Sequence, residues 1–241
     1  MKKPKVIVCP SPLFLKTLPV KGSIVVVIDI LRATTSMCVA FGNGALEIIP
    51  LESIEECRAY KEKGYLIAGE RDGKMIEGFD MGNSPFSFMG EHIKNAKIAM
   101  TTTNGTKCIH ASKKAHQILI GAFVNMSSII HYLKSQQRDV ILLASGWKDK
   151  MNLEDTAFGG AVALELENEF TPTEDSTRIA MTLYEAMQKD KRFFIKNATQ
   201  YDQIMGLNIV EDVKYCLRRD LHQVLPIYQN GRLINLIPKT V

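Results

Sequence analysis

The chain has 241 residues, 46% of them hydrophobic and 23% charged, which is enough to bury a large core in an ordinary globular protein. No apolar run approaches the ~18–20 residues that span a bilayer, and the basic start at Lys2, Lys3 and Lys5 leads into a short strand-like piece and prolines rather than a signal peptide, so a cytoplasmic location is expected. A net charge of +4 with no long basic run argues against nucleic acid, and five scattered cysteines without a Cys-x-x-Cys pair argue against a metal finger and suit a reducing compartment.

In chain order, residues 6–9 form the first strand candidate. Ile24–Ile28 is a continuous apolar run, as expected of a strand buried on both faces. A helix is expected from Arg32 to Ala40, stopped by Gly42-Asn43-Gly44. Further strands are expected at 48–49, 65–68, 98–100, 118–120 and Val140–Ala144. Residues 52–63 are rich in helix formers and end before Gly64, a suitable C-cap. Residues 106–114 and 125–133 also have helical character. This alternation predicts an α/β fold with a largely parallel or mixed sheet. From residue 154 the chain turns mostly helical, with candidates at 154–169, 173–189 and 208–219. The last carries Val210, Val213 and Leu217 on one face. Asn230-Gly231 between two apolar runs predicts a terminal β-hairpin. No linker, repeat or low-complexity segment divides the chain. One α/β domain over residues 1–241 is expected, with a division into two intertwined lobes left open.

Ligands of open α/β sheets bind beyond the carboxyl ends of the strands. After Ile24–Ile28 come Asp29 and Arg32. After 65–68 come Glu70 and Arg71. After 98–100 come Thr102, Thr103, Asn104 and Gly105. After Val140–Ala144 come Ser145 and Gly146, then Glu154 and Asp155 opening a helix. Arg32 and Arg71 suit phosphate oxygens, and the Thr-Thr-Asn-Gly turn before a helix can hold an anion. Asp29, Glu70, Glu154 and Asp155 are hard oxygen donors suited to magnesium. Together they have the chemistry of phosphoryl transfer.

Each feature alone has a plainer explanation. Thr-Thr-Asn-Gly is also a helix N-cap and turn. Asp29 also caps a helix, and Glu154 and Asp155 suit any helix N-terminus. Gly82-Asn83-Ser84-Pro85 either closes the same pocket or starts a helix with Ser84 as its cap. Trp147 reads as packing or a pocket wall. The histidines form no zinc pattern, and there is neither a Gly-x-Ser-x-Gly elbow nor a P-loop.

Five ordered blocks carry a resemblance: Val27-Ile28-Asp29-Ile30-Leu31-Arg32-Ala33-Thr34-Thr35, Ala68-Gly69-Glu70-Arg71, Gly78-Phe79-Asp80-Met81-Gly82-Asn83-Ser84-Pro85, Thr102-Thr103-Asn104-Gly105-Thr106, and Glu154-Asp155 with Gly159-Gly160. The chain resembles the 2-phosphosulfolactate phosphatase family. The resemblance implies a three-layer α/β/α fold with a mixed sheet, to which the residues themselves add a helix-rich C-terminal third and a terminal β-hairpin. It also implies a magnesium-dependent phosphatase of coenzyme M biosynthesis that releases 3-sulfolactate and phosphate from 2-phospho-3-sulfolactate. Trp147-Lys148-Asp149-Lys150-Met151 departs from the small residues of the family pattern, in a loop suited to the non-phosphate end of a substrate.

The expected catalytic residues are Asp29, Arg32, Glu70 and Asp155. Arg71, Asn83, Ser84, Thr102, Thr103, Asn104 and Gly105 are expected to bind substrate. Asp29, Glu154 and Asp155 are expected to hold magnesium. The expected partner is a small anionic phosphoester, not nucleic acid or membrane, and a homodimer stays open. Two alternatives remain: a phosphatase for another small phosphorylated hydroxy acid, and a non-catalytic module that binds anionic metabolites. The carboxylates separate the last from an enzyme, because they repel an anion unless a cation intervenes.

Overall fold

A computed structural model of the chain describes residues 2–190, 206–207 and 209–237. Eleven strands form one mixed sheet. They are β1 (Lys5–Cys9), β2 (Ile24–Ile28), β3 (Glu47–Leu51), β4 (Leu66–Arg71), β5 (Lys74–Met75), β6 (Lys97–Thr101), β7 (Gln117–Gly121), β8 (Val140–Ala144), β9 (Thr171–Pro172), β10 (Pro226–Gln229) and β11 (Arg232–Asn235). Their order is β5-β4-β6-β3-β11-β10-β7-β2-β8-β1-β9. The helices are α1 (Pro12–Leu15), α2 (Ala33–Gly42), α3 (Ile54–Ala59), α4 (Gly105–Ala111), α5 (Met126–Gln136), α6 (Leu153–Leu166), α7 (Asp175–Lys189) and α8 (Val210–Cys216).

The apolar run of β2 lies at the heart of the sheet. Val26 pairs with Leu119 of β7 on one side and Leu142 of β8 on the other, all in parallel register. All five β2 residues are fully buried, so helices cover both faces of the sheet and the fold is a three-layer α/β/α arrangement. α6 lies on β1, β8 and β2 and packs against α7. Edge-to-face contact of Phe123 with Phe158, and stacking of Phe123 on Tyr184, join the β7–α5 loop to α6 and α7.

The sheet has two parallel halves, β4-β6-β3 and β7-β2-β8-β1. The antiparallel hairpin β10–β11 joins them. Its turn residues Asn230 and Gly231 have φ of 51° and 82°, as the dipeptide predicts. Three successive antiparallel steps make the halves run in opposite directions. In a flat sheet their carboxyl ends would lie on opposite edges. A twist of about 20–25° per strand, over the five steps from β2 to β6, turns β6 by roughly 100–125°. The carboxyl ends of the two halves therefore converge, and the segments after β2 and β6 touch.

Some boundaries differ from the sequence-based expectation. Residues 52–63 fold as α3 followed by a separate 3-10 turn, Lys61–Lys63. The Ser53 hydroxyl accepts from the Glu56 amide, so the helix starts only after Ser53. The 106–114 helix ends at Ala111. The 208–219 helix is α8, and residue 208 lies outside the described residues. α1, β5 and β9 were not expected, because elements of two to four residues carry no periodicity.

Candidate active site

The site forms where four segments leave the sheet. Asp29 follows β2, and its Oδ1 accepts from the Ala33 amide at 3.3 Å, at the start of α2. The Asp29 amide donates to Thr34 Oγ1 at 3.0 Å, which locks the turn. The segment after β6 closes on this carboxylate. A Cβ on Gly105 would lie 3.1 Å from Asp29 Oδ2 and 3.0 Å from the Ala33 methyl, so any larger residue would have to push these neighbours back by a few tenths of an ångström. Glu70, in β4, is gripped by two backbone amides. Its Oε1 accepts from Thr103 at 2.7 Å and its Oε2 from Gly73 at 2.9 Å. Asn104 Nδ2 donates to the Gly146 carbonyl at 3.1 Å, linking the β6 and β8 ends.

Asp29, Arg32, Glu70, Asn83, Asn104, Trp147 and Asn152 line one cavity of ≈ 40 Å³, with Leu207 and Ile209 among its walls. Of the three buried side-chain oxygens with no hydrogen-bond partner among the described residues, Asn83 Oδ1, Thr103 Oγ1 and Thr173 Oγ1, the first two belong to a lining residue and to the neighbour of one, Asn104. A larger hollow of ≈ 640 Å³, between α5 and the C-terminal segment, holds none of these groups.

Arg32 is buried in an ion pair of its Nη1 with Asp212 of α8, and its Nη2 donates to the Gly73 carbonyl at 3.0 Å. Asp212 also accepts from the Ser84 hydroxyl at 3.0 Å. The remaining guanidinium N–H groups are left for the cavity that Arg32 lines.

The acids outnumber this arginine. Burial, with Asp155 and then Glu70 nearby, pushes the Asp29 carboxyl up to about 8. Burial, then the Asp155 charge, pushes Glu154 up to about 8. Burial also raises Asp155, against the opposing pull of its hydrogen bonds.

The structure separates the expected residues into two groups. Asp29, Arg32, Glu70, Asn83 and Asn104 share the cavity, with Thr103 and Gly105 directly beside them. The others do different things. Asp155 accepts from the Ile30 amide (2.8 Å), Ser145 Oγ (3.0 Å), the Gly146 amide (3.2 Å) and Asn152 Nδ2 (3.0 Å), so its carboxylate ties β2, β8 and α6 together. Glu154 is buried and is not part of the cavity lining. The Arg71 guanidinium turns to the Glu70 and Glu52 carbonyls and to Thr101 Oγ1. Thr102 Oγ1 accepts from the Thr106 amide, capping α4. Ser84 precedes a 3-10 turn, Pro85–Phe88, but its hydroxyl bonds to Asp212 and not to that turn.

Sequence reasoning missed Asp212 and Asn152. Asp212 reads as an acid in the first turn of a helix, which the helix dipole alone explains. Its partner Arg32 is 180 positions away, so nothing local marks the pair. Asn152 carried a readable signal, an N-cap residue ahead of Glu154 and Asp155. Its Oδ1 accepts from the Asp155 amide at 3.3 Å.

Among the described residues no three His, Cys, Asp or Glu side chains come together as a metal site. That set is not what magnesium requires. Magnesium takes one or two carboxylates and fills its other positions with water and phosphate oxygens. Asp29 and Asn83 line one cavity, and the Asp29 carboxyl and the unpartnered Asn83 Oδ1 are hard oxygen donors. The donor chemistry fits.

The model of the 2-phosphosulpholactate phosphatase family matches residues 12–231. The chain is 35% identical over 216 residues to a protein of Thermotoga petrophila named probable 2-phosphosulfolactate phosphatase, covering 90% of this chain and 93% of that one. Identically named proteins of Clostridium tetani and Clostridium acetobutylicum are 34% and 33% identical. These cover 88% and 89% of this chain and 92% and 93% of their own.

Proposed function

The chain belongs to the 2-phosphosulpholactate phosphatase family, and we propose on that premise that it hydrolyses 2-phosphosulfolactate to 3-sulfolactate and phosphate in the Asp29 cavity, with magnesium. One observation carries the reading. Asp29 and Arg32, Glu70, Asn83, and Asn104 come from four separate segments of the chain, yet line one cavity. The unit that acts is the whole chain as one α/β domain, since these groups come from both halves of the sheet and lean on α8. Five buried, unpaired cysteines support a cytoplasmic setting.

Asp29 and Asn83 would hold the magnesium. When bound, it offsets the charge of the phosphoryl group and of the nearby acids. Arg32, fixed by Asp212 and the Gly73 carbonyl, directs its free N–H groups to phosphate oxygens. The Thr103 hydroxyl and the Asn104 amide hydrogen-bond to the same group. Glu70 is immobilised by two backbone amides and positioned to take a proton from the attacking water. Water adds to phosphorus as Glu70 takes its proton, the P–O ester bond breaks, and the departing alkoxide takes a proton from solvent to give 3-sulfolactate, while Glu70 returns its own proton to solvent.

The test is phosphate release from 2-phosphosulfolactate by the purified protein, before and after exhaustive chelation. Release should stop on chelation and return with added magnesium. No release from this ester under any condition would overturn the activity. Undiminished release after chelation would overturn the metal.

A further inference from the structure

After β8 the chain makes a tight turn at the mouth of the cavity. The Trp147 amide donates to the Lys150 carbonyl at 2.8 Å, and the Lys150 amide to the Trp147 carbonyl at 3.0 Å. The two residues between, Lys148 and Asp149, have φ of 51° and 61°. Positive φ at both central positions marks a type I′ turn, a place that favours Asn and Gly over Lys and Asp.

Two hydrogen bonds and one close approach hold this unfavourable backbone. Ser11 Oγ donates to the Asp149 carbonyl at 2.8 Å. Asn104 Nδ2 holds the Gly146 carbonyl. Gly146 has φ of 64°, and a Cβ there would meet the Lys150 carbonyl oxygen at 2.2 Å. Strained backbone that its surroundings over-determine is characteristic of ligand-binding sites. Here the strain fixes Trp147 on the cavity wall, and the exposed Lys148, just outside the lining, keeps its ammonium 5.8 Å from the Trp147 ring centroid, in cation–π range.

The phosphate end of the cavity has one arginine, already paired with Asp212, beside Asp29 and Glu70. A substrate with phosphate, carboxylate and sulfonate groups brings further negative charge that this end does not balance. We propose that Lys148, held over Trp147, recognises the sulfonate and sets a preference for a sulfonated phosphoester. This rests on the function proposed above.

The experiment compares kcat/KM for 2-phosphosulfolactate and for 2-phospholactate, which lacks the sulfonate. It uses the native chain, Lys148→Asn and Lys148→Arg. Asparagine suits the turn better than lysine, so Lys148→Asn removes the ammonium and leaves the backbone in place. The preference for the sulfonated ester, read as the ratio of the two kcat/KM values, should fall about tenfold in Lys148→Asn, mainly through KM. It should recover in Lys148→Arg. Added salt should weaken the native preference more than that of Lys148→Asn. An unchanged ratio in Lys148→Asn overturns the inference and leaves the phosphatase reading intact. A native chain that releases phosphate from neither ester overturns that reading, and the inference with it.

Discussion

Asp29 combines a helix cap, a cavity wall and an unfavourable charge in one residue. Burial and the neighbouring acids raise its carboxyl from 3.8 to about 8. Without a divalent cation, the folded chain keeps a proton that the unfolded chain releases. Between these two values the folded state binds more protons, so the contribution of Asp29 to stability is lost as pH rises from about 4 to about 8. Added magnesium should reverse this loss, raising Tm more at pH 8 than at pH 5. Asp29→Asn keeps the Ala33 cap, because asparagine caps as well as aspartate. The variant should be more stable than the native chain in metal-free buffer at pH 8, respond little to magnesium, and lose activity by orders of magnitude. Scanning calorimetry of both proteins at the two pH values checks this. An equal magnesium shift in Asp29→Asn would remove Asp29 from the metal site. Asp29 was legible in the sequence, because five apolar residues before it mark the end of a buried strand. The division of labour among the acids was not. Asp29 and Asp155 look alike as strand-end and helix-start carboxylates, and only tertiary contacts show that one faces the cavity while protein donors occupy the other.

At the scale of elements, Asp155 is the joint between β2, β8 and α6. Its four donors come from residues 30, 145, 146 and 152, and no water or second acceptor need be invoked to satisfy them. Asp155→Ala should therefore lower the unfolding free energy by on the order of 3–5 kcal/mol, since each buried donor left without a partner costs about 1–3 kcal/mol. Asp155→Asn, which still accepts from part of the set, should lose less. Urea unfolding of both variants in metal-free buffer measures this. A loss under about 1 kcal/mol in Asp155→Ala would leave the joint without energetic weight. The longer elements were readable because burial forces a period on them. β2 and β8 are buried on both faces and read as unbroken apolar runs, while α6 and α7 extend over several turns. The start of α3 was not, because the side-chain cap at Ser53, rather than propensity, sets it; nor was the end of α4 at Ala111, where the sequence carries no stop signal. β5 and β9 owe their strand form to the neighbours they pair with, β4 and β1, and their own sequences carry no sign of it.

At the scale of the molecule, the site depends on a sheet whose halves run in opposite directions and meet at their carboxyl ends. The strand runs and the Asn230-Gly231 turn were legible. The insertion of the hairpin between β3 and β7 was not, because strand order depends on pairing across long stretches of sequence. Leu233 tests this arrangement. It is fully buried in β11, opposite Tyr228 of β10 and paired with Ile48 of β3. It touches the seam between the halves and takes no part in lining the cavity. Leu233→Ala should cost about 2–5 kcal/mol of stability, the range for truncating a buried leucine. The hydrogen bond from Asn104 to Gly146 and the Gly105 approach to Asp29 also span the halves, so they should still unfold together. Trp147, the only tryptophan, reports on the cavity, and far-ultraviolet circular dichroism reports on the whole sheet. The two signals should give one denaturant midpoint in Leu233→Ala, shifted below that of the native chain, with loss of activity following the same curve. If the tryptophan signal and the activity were lost well before the secondary structure, the cavity would be the weaker seam. The hairpin would then not be what brings the two carboxyl ends together.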